Sequence, residues 1–357
     1  MILQEELNAS AADKKASTHR KITSVGADDN QKEGDVKSSN QALVDLRPGD
    51  VTLQAEILRG LQRPIKILPT KLLYDRRGSE LFDEITMLPE YYPTRTETAI
   101  LKSNVDEIAM LLGERTMLVE YGSGSSTKTR ILLDHLIDPA AYVPIDISAE
   151  HLSQAADQLR TDYSTLEILP VTADYREAIE LPKSQVLPNR RVVFFPGSTI
   201  GNFQPDEALA FLRRIAQICG YNGGLLVGVD LKKDPAVLHQ AYNDQRGVTA
   251  EFNLNILAHL NREFSTEFRL DQFRHYAYYN AQQGRIEMHL VNLADQIIQW
   301  QDQRINIRQG ESIWTESSYK YTLEEFHELT AQAGFAPVKT WTDDEQLFSV
   351  HFLEVGN

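Results

Sequence analysis

Met117-Leu-Val-Glu-Tyr-Gly-Ser-Gly-Ser-Ser-Thr-Lys-Thr-Arg130 is the stretch on which the fold turns. An apolar run, Met117 to Val119, ends in the acid Glu120 and then in two glycines, Gly122 and Gly124. A helical pattern from Thr127 to Leu136 follows at once. Strand, glycine turn and helix in that order present backbone N–H groups to an anionic or nucleotide-bearing ligand. Taken alone, a Gly-x-Gly turn is equally a tight connection between a strand and a helix.

The chain further on supplies what one turn cannot. A second strand, Ala141 to Ile147, carries Asp146 near its end, where a carboxylate can accept both hydroxyls of an adenosine ribose. A third, Leu166 to Val171, runs into Thr172-Ala-Asp174-Tyr175, an acid beside an aromatic that suit an adenine edge and face. A fourth, Arg191 to Phe195, leads into Pro196-Gly-Ser-Thr-Ile-Gly-Asn-Phe203, and a fifth spans Gly224 to Asp230. Apolar strands separated by helical stretches, each closing on a small or polar cluster, predict an α/β fold with a doubly wound parallel sheet. Its ligand belongs across the carboxyl ends of the strands.

Nicotinamide and S-adenosylmethionine both fit such a crevice. The dinucleotide fingerprint wants a third glycine where this chain has Thr127, and Glu120 stands where a pyrophosphate would feel its charge. A sulfonium cation tolerates that acid better. The ordered set Glu120, Gly122, Gly124, Asp146, Asp174 resembles a class I S-adenosylmethionine-dependent methyltransferase, which implies a Rossmann-like sheet.

Composition narrows the function classes. The 357 residues carry a formal net charge of −15 with a sequence pI near 5.1, the opposite of the clustered Lys and Arg that nucleic acid demands. Anionic membrane surfaces are disfavoured likewise, and no window approaches a spanning helix. The single cysteine, Cys219, excludes an internal disulfide and a cysteine-based metal cage, and it falls on the apolar face of a helix. Nine histidines without ligand spacing predict no metal. Residues 1–45 hold almost nothing to bury and lack the apolar core of a secretory signal, so they are expected to form a disordered arm on a cytoplasmic protein.

Helices are expected at Thr52 to Leu61, Glu80 to Met87 and Ala99 to Leu112, the last behind a capping box formed by Thr94 and Glu97. Pro205 to Cys219, Asp234 to Asn243 and Thr249 to Glu263 also read as helical. Strands with alternating polarity follow at Tyr276 to Ala281, Arg285 to Val291, Ile297 to Trp300 and Ser312 to Lys320. The chain closes with a helix, Leu323 to Ala333, and an antiparallel hairpin. We therefore expect a donor-binding methyltransferase domain of 96–231 with 321–357, and a smaller α+β substrate domain of 47–95 with 232–320. Ligand sites favour the cleft between such units.

Tyr74-Asp-Arg-Arg-Gly-Ser-Glu-Leu-Phe-Asp83, Leu88-Pro-Glu-Tyr-Tyr-Pro-Thr-Arg-Thr-Glu97, Gly197-Ser-Thr-Ile-Gly-Asn202, Arg285-Ile-Glu-Met288 and Thr315-Glu-Ser-Ser318 occur in this order. From about Leu46 onward the chain resembles the histidine Nα-methyltransferases of ergothioneine biosynthesis, the first three motifs being shared with relatives that act on other amino-acid-like substrates. The chain has Tyr319-Lys320-Tyr321 where that family continues into a Lys-Phe pair. The resemblance implies that Gly122, Lys128, Asp146, Asp174 and Tyr175 hold S-adenosylmethionine. It implies that Tyr74, Gly197, Asn202 and Tyr242 hold the two ends of L-histidine, with Tyr74 and Asn202 nearest the chemistry. Tyr91, Glu316 and Ser318 would read the imidazole, with Met288 packed on it. Three successive transfers to the α-amine would give hercynine, on a monomer needing neither metal, membrane nor nucleic acid. The same catalyst acting on another amino acid such as tryptophan, or a non-catalytic donor-binding module, are the alternatives.

The residue types suit that chemistry independently. A carboxylate and a hydroxyl can satisfy both ring nitrogens of an imidazole, and an asparagine can donate to a carboxylate while accepting from an amine. Plainer roles exist for each. Met288 alternates with Ile286 and Leu290 as a core residue would, Asn202 could cap the helix near Pro205, and Lys128 sits unfavourably in the first turn of a helix unless an anion lies near.

Overall fold

The computed structural model describes residues 44–45, 50–122, 127–174 and 179–356. Gly124, Tyr175 and nearly all of the N-terminal arm lie outside them. The first elements are a two-residue strand β1 (Val44–Asp45), helix α1 (Asp50–Leu61), strand β2 (Lys66–Ile67) and helices α2 (Arg76–Thr86) and α3 (Tyr92–Leu112). The alternating middle follows as β3 (Thr116–Tyr121), α4 (Thr127–Leu133), β4 (Ala141–Asp146), α5 (Ala149–Asp162), β5 (Val171–Thr172), β6 (Arg190–Phe195), α6 (Pro205–Cys219) and β7 (Gly224–Asp230). Helices α7 (Pro235–Tyr242) and α8 (Val248–Phe264) then precede strands β8 (Phe273–Asn280), β9 (Arg285–Asn292), β10 (Gln296–Trp300), β11 (Gln303–Ile307) and β12 (Ser312–Tyr319). Helix α9 (Leu323–Gln332) and strands β13 (Phe335–Thr342) and β14 (Phe348–Val355) complete the chain.

Eight strands form one sheet in the order β1-β5-β4-β3-β6-β7-β14-β13. The pairs from β1 through β7 are parallel, whereas β14 and β13 add on antiparallel. Every residue of β3 and β7 is buried, as expected of strands covered by helices on both faces. One apolar core lies on each face, around Val119, Val193 and Phe211 on one side and Leu118, Phe194 and Phe352 on the other. This is the doubly wound sheet with a closing antiparallel hairpin that the sequence predicts.

A second sheet, β2-β12-β9-β8, belongs to a third core that gathers residues between Ile57 and Tyr92 with others between Leu238 and Ile313. Strand β10 matches the strand expected at Ile297 to Trp300, whereas β11, which pairs with it through a turn where Gln301 adopts a left-handed φ of 54°, is an addition.

Other departures have local causes. The expected strand Leu166 to Val171 keeps only Val171–Thr172 and a single bridge from Ile168 to Tyr142. Pro170 interrupts it, because proline has no N–H to give the ladder. The Thr94–Glu97 capping box does not form. Pro93 is already in the first turn of α3, which begins at Tyr92, so both residues lie inside the helix. Helix α2 starts four residues earlier than expected because Asp75 caps it, its Oδ1 accepting the Gly78 N–H at 2.7 Å. Helix α4 ends at Leu133 rather than Leu136.

Candidate active site

At the carboxyl end of β3 the backbone leaves the sheet through Gly122, whose φ of +73° favours glycine and whose N–H donates to the Ile145 carbonyl at 2.8 Å. A side chain there would meet no described atom within 4 Å, so the turn opens onto space that a ligand can fill. On the neighbouring strands the two expected acids stand at matching ends. Asp146 closes β4 and accepts the Ser148 N–H at 2.9 Å. Asp174 lies two residues beyond β5, is buried, and is bonded at 3.1 Å by Lys71, 103 residues earlier in the chain. A turn open to solvent beside two acids at adjacent strand ends fits a cationic, adenosine-bearing donor.

Glu120 is not part of that surface. Its side chain turns into the core, where Thr129 Oγ1 donates to it at 2.6 Å and the Tyr142 hydroxyl also donates. Burial pushes its pKa up to about 7 against these donors. Lys128 does have the anion that its position calls for, but that anion is Glu97, fully buried one helix away. The Glu97 carboxylate also takes the Gly197 N–H at 2.9 and 3.0 Å. Gly197 and Lys128, assigned to different ligands by sequence, are thus joined through one carboxylate that sequence reading cast as a helix cap.

The segment after β6 folds into a 3₁₀ turn, Thr199–Asn202, packed against β12. Contact is possible because residue 201 is glycine: a Cβ there would stand 2.6 Å from the Tyr319 carbonyl oxygen. Gln204, not Asn202, caps α6. The turn brings Asn202 to the wall of a cavity of about 720 Å³ that also exposes Thr70, Gln204, Trp314, Glu316 and Ser317. Glu316 is the unusual member of that wall. Its Oε2 is buried and has no hydrogen-bond partner among the described residues, and burial pushes its pKa up to about 7 while Lys320 pulls the other way. An unpartnered buried carboxylate is costly enough to imply an absent partner.

Strand register places the other reader residues around it. Glu316 stands opposite Met288, and Ser318 opposite Ile286, across the β12–β9 pair. The Tyr242 hydroxyl donates to Ser318 Oγ at 2.9 Å. Tyr91 meets the Tyr242 ring edge-on at 6.3 Å, and burial drives both phenols well above their ordinary pKa. Tyr74 packs in the same aromatic group, 5.5 Å from Phe252 and 5.6 Å from Phe82 between ring centroids. Phe82, 6.2 Å from Tyr91, links the two expected tyrosines. It belongs to the Tyr74 motif, on helix α2.

Bonded to Ser318 and Tyr242 is a buried ionic cluster that the sequence does not announce. Lys320 reaches Asp230 at 2.6 Å, Ser318 Oγ at 2.7 Å and the Tyr242 hydroxyl at 3.0 Å. Tyr92 donates to Asp230 at 2.7 and 2.9 Å, and Lys233 also pairs with it. Burial alone would raise the Asp230 pKa, but Lys320 and Lys233 overcome it and hold the carboxyl below its usual value. Burial brings Lys233 down to about 8 despite Asp230. Asp230, the acid at the end of β7, has no role in the sequence analysis.

A glycine turn and two acids at the strand ends of a doubly wound sheet, with a buried carboxylate in a cavity wall, point to a methyltransferase of the class I fold. The comparisons make that class specific. Residues 53–355 match the profile of the histidine-specific, S-adenosylmethionine-dependent methyltransferases, and the chain belongs to that family. It is 41% identical over 302 residues to the histidine N-alpha-methyltransferase of Mycobacterium tuberculosis, covering 83% of this chain and 92% of that protein. It is 32% identical over 332 residues to ergothioneine biosynthesis protein 1 of Neurospora crassa, covering 89% of this chain and 37% of that longer protein. A 4-dimethylallyltryptophan N-methyltransferase of Epichloe festucae var. lolii is 28% identical over 315 residues, covering 81% of this chain and 90% of the relative. No helix among the described residues is long and apolar enough to cross a membrane.

Proposed function

We propose that this enzyme moves methyl groups, one after another, from S-adenosylmethionine to the α-amino nitrogen of L-histidine, yielding the trimethylated betaine hercynine at the first step of ergothioneine biosynthesis. The observation that carries the substrate reading is the Glu316 carboxylate, buried in the cavity wall beside Asn202 with one oxygen unpartnered. An imidazole N–H is a fitting donor for it. An indole-bearing substrate also has an N–H, but would leave the hydroxyl of Ser318 without a ring acceptor.

In this reading residues 96–231 with 321–357 carry the donor, and 47–95 with 232–320 carry the amino acid. Gly122, Asp146 and Asp174, with Tyr175, hold the donor, and Lys128 supports the site through Glu97. The bound donor supplies an electrophilic methyl carbon. The protein's share is to hold a neutral amine with its lone pair in line with that carbon, which is chiefly a matter of position. Asn202 accepts from the amine and donates to the substrate carboxylate, and Tyr74 orients the amine or passes its proton to water. The linked rings Tyr74, Phe82, Phe252 and Tyr91 offer faces to the growing ammonium charge, which grows harder to solvate as N–H bonds disappear. The same reading takes the enzyme as a cytoplasmic monomer working without a metal ion.

Incubation with S-adenosylmethionine and a panel of free amino acids, read by mass increments, tests the proposal. Histidine should gain up to three methyl groups. Glu316→Ala should damage histidine turnover far more than donor binding. A single methyl under excess donor, or preference for another amino acid, would overturn it.

A further inference from the structure

Lys320 is 2% exposed, and each of its three N–H donors has an acceptor in Asp230, Ser318 and Tyr242. An ammonium has no lone pair, so both hydroxyl oxygens can only accept from it. These two hydroxyls are themselves joined by one hydrogen bond, 2.9 Å long. The phenol is the stronger acid and so donates to the serine. Ser318 Oγ therefore accepts twice, and its own hydrogen has no acceptor among the described residues. Two positions earlier on the same strand, Glu316 offers an oxygen with no donor.

We infer that Lys320 is a positioning residue that fixes substrate specificity: by donating to both Tyr242 and Ser318, it commits the Ser318 hydroxyl to donate to the bare ring nitrogen while Glu316 accepts the ring N–H. This inference rests on the histidine reading above. It makes the pocket complementary to a neutral azole with one donor and one acceptor. Asp230, anchored by Tyr92 and Lys233, holds the ammonium in place. A hydroxyl not so committed could rotate to accept as readily as donate, and the ring nitrogen would lose its discriminating partner.

The test compares L-histidine with β-(pyrrol-3-yl)-L-alanine, in which a ring C–H replaces the bare nitrogen, using the full chain and saturating S-adenosylmethionine. In Lys320→Met, kcat/KM for histidine should fall about tenfold or more, chiefly through KM, while that for the pyrrole analogue changes by no more than about twofold. The parent's preference for histidine should shrink accordingly. Lys320→Arg, which keeps the donors, should recover most of it. In a Ser318→Ala background, Lys320→Met should add no more than about twofold. Donor affinity by calorimetry checks that each variant is folded. Lys320→Met leaves Asp230 paired with Lys233, and if it is not folded, Lys320→Leu is read on the same scale. Equal losses on the two substrates with donor binding intact, or an undiminished effect without Ser318, would overturn the inference. A parent that fails to methylate histidine would sink the substrate reading and this inference with it, and is recognised because the failure is in the parent.

Discussion

Gly228 and Glu97 occupy adjoining space: a Cβ built on Gly228 would stand 1.9 Å from Glu97 Oε1. Strand β7 thus has a glycine where the carboxylate of α3 must pass to reach Lys128 and the Gly197 N–H. Gly228→Ala should displace that carboxylate and uncouple the loop after β3 from the loop after β6. The expected result is a melting temperature lowered by several degrees and a donor dissociation constant raised about tenfold or more. Glu97→Gln, which removes the charge and not the space, should weaken donor binding with a smaller stability loss. Wild-type donor affinity in Gly228→Ala would show that the Glu97 contacts do not support the donor site.

The raised pKa of Glu316 gives substrate binding a pH dependence of definite sign. With its carboxyl at about 7, the site is largely ionised at pH 8 and largely protonated at pH 6. Only the ionised form offers both oxygens as acceptors to an imidazole N–H. KM for histidine should therefore rise roughly tenfold as pH falls from 8 to 6. Glu316→Gln should abolish the step near pH 7 while leaving the slopes that come from the substrate's own amine and ring. A step of equal size in that variant would assign it to the substrate instead.

How far these features could be read in advance depended on whether a residue's partner was local. The strand-end positions of Gly122, Asp146 and Asp174 were legible because the apolar runs before them mark where each strand stops. Helices α6 to α9 were legible because their apolar period and capping residues act within a few positions, as with Thr322 and Glu325. Glu97 misled because a threonine three residues before a glutamate has the same spacing inside a helix as at its start, and Pro93 moved the start. Lys320 and Asp230 lie 90 residues apart in the chain, and neither carries a local pattern that announces a buried ion pair. Only the antiparallel return of β12 and the parallel run of β7 bring them together. Likewise Glu120 resembles a ligand-facing acid until the pleat of β3 is known to turn it toward Thr129.

Glu120 yields a prediction about stability rather than binding. Its carboxyl titrates at about 7 in the folded chain because of burial, and at about 4.5 when exposed. Between those values the folded state holds a proton that the unfolded state has lost. Its contribution to stability is thus full below about pH 4.5 and declines as pH rises to about 7, by roughly 3 kcal/mol in all. Glu120→Gln retains an acceptor for Thr129 and Tyr142 and cannot ionise. The melting temperature of the variant relative to the parent should climb by several degrees between pH 5 and pH 8. Parallel melting curves across that range would mean that Glu120 remains ionised throughout.

Lys71 ties Asp174, the acid we assign to the donor, to the turn that precedes Tyr74. It lies in the 3₁₀ turn Thr70–Leu73, immediately before Tyr74, and its ammonium is 3.1 Å from both Asp174 Oδ2 and Glu56 Oε2. Asp174 is the more buried of the two acids, so it loses more when the cation is removed. Lys71→Met should raise the donor dissociation constant about tenfold, with KM for histidine at saturating donor changed less than about threefold. Glu56→Gln, on the more solvated side of the same ammonium, should alter donor affinity by less than about twofold, since exposed pairs contribute little. Calorimetric titration of the donor separates the cases. Should Lys71→Met leave donor affinity intact and depress histidine turnover instead, the lysine serves to hold the turn that presents Tyr74, and its bond to Asp174 is incidental to the donor site.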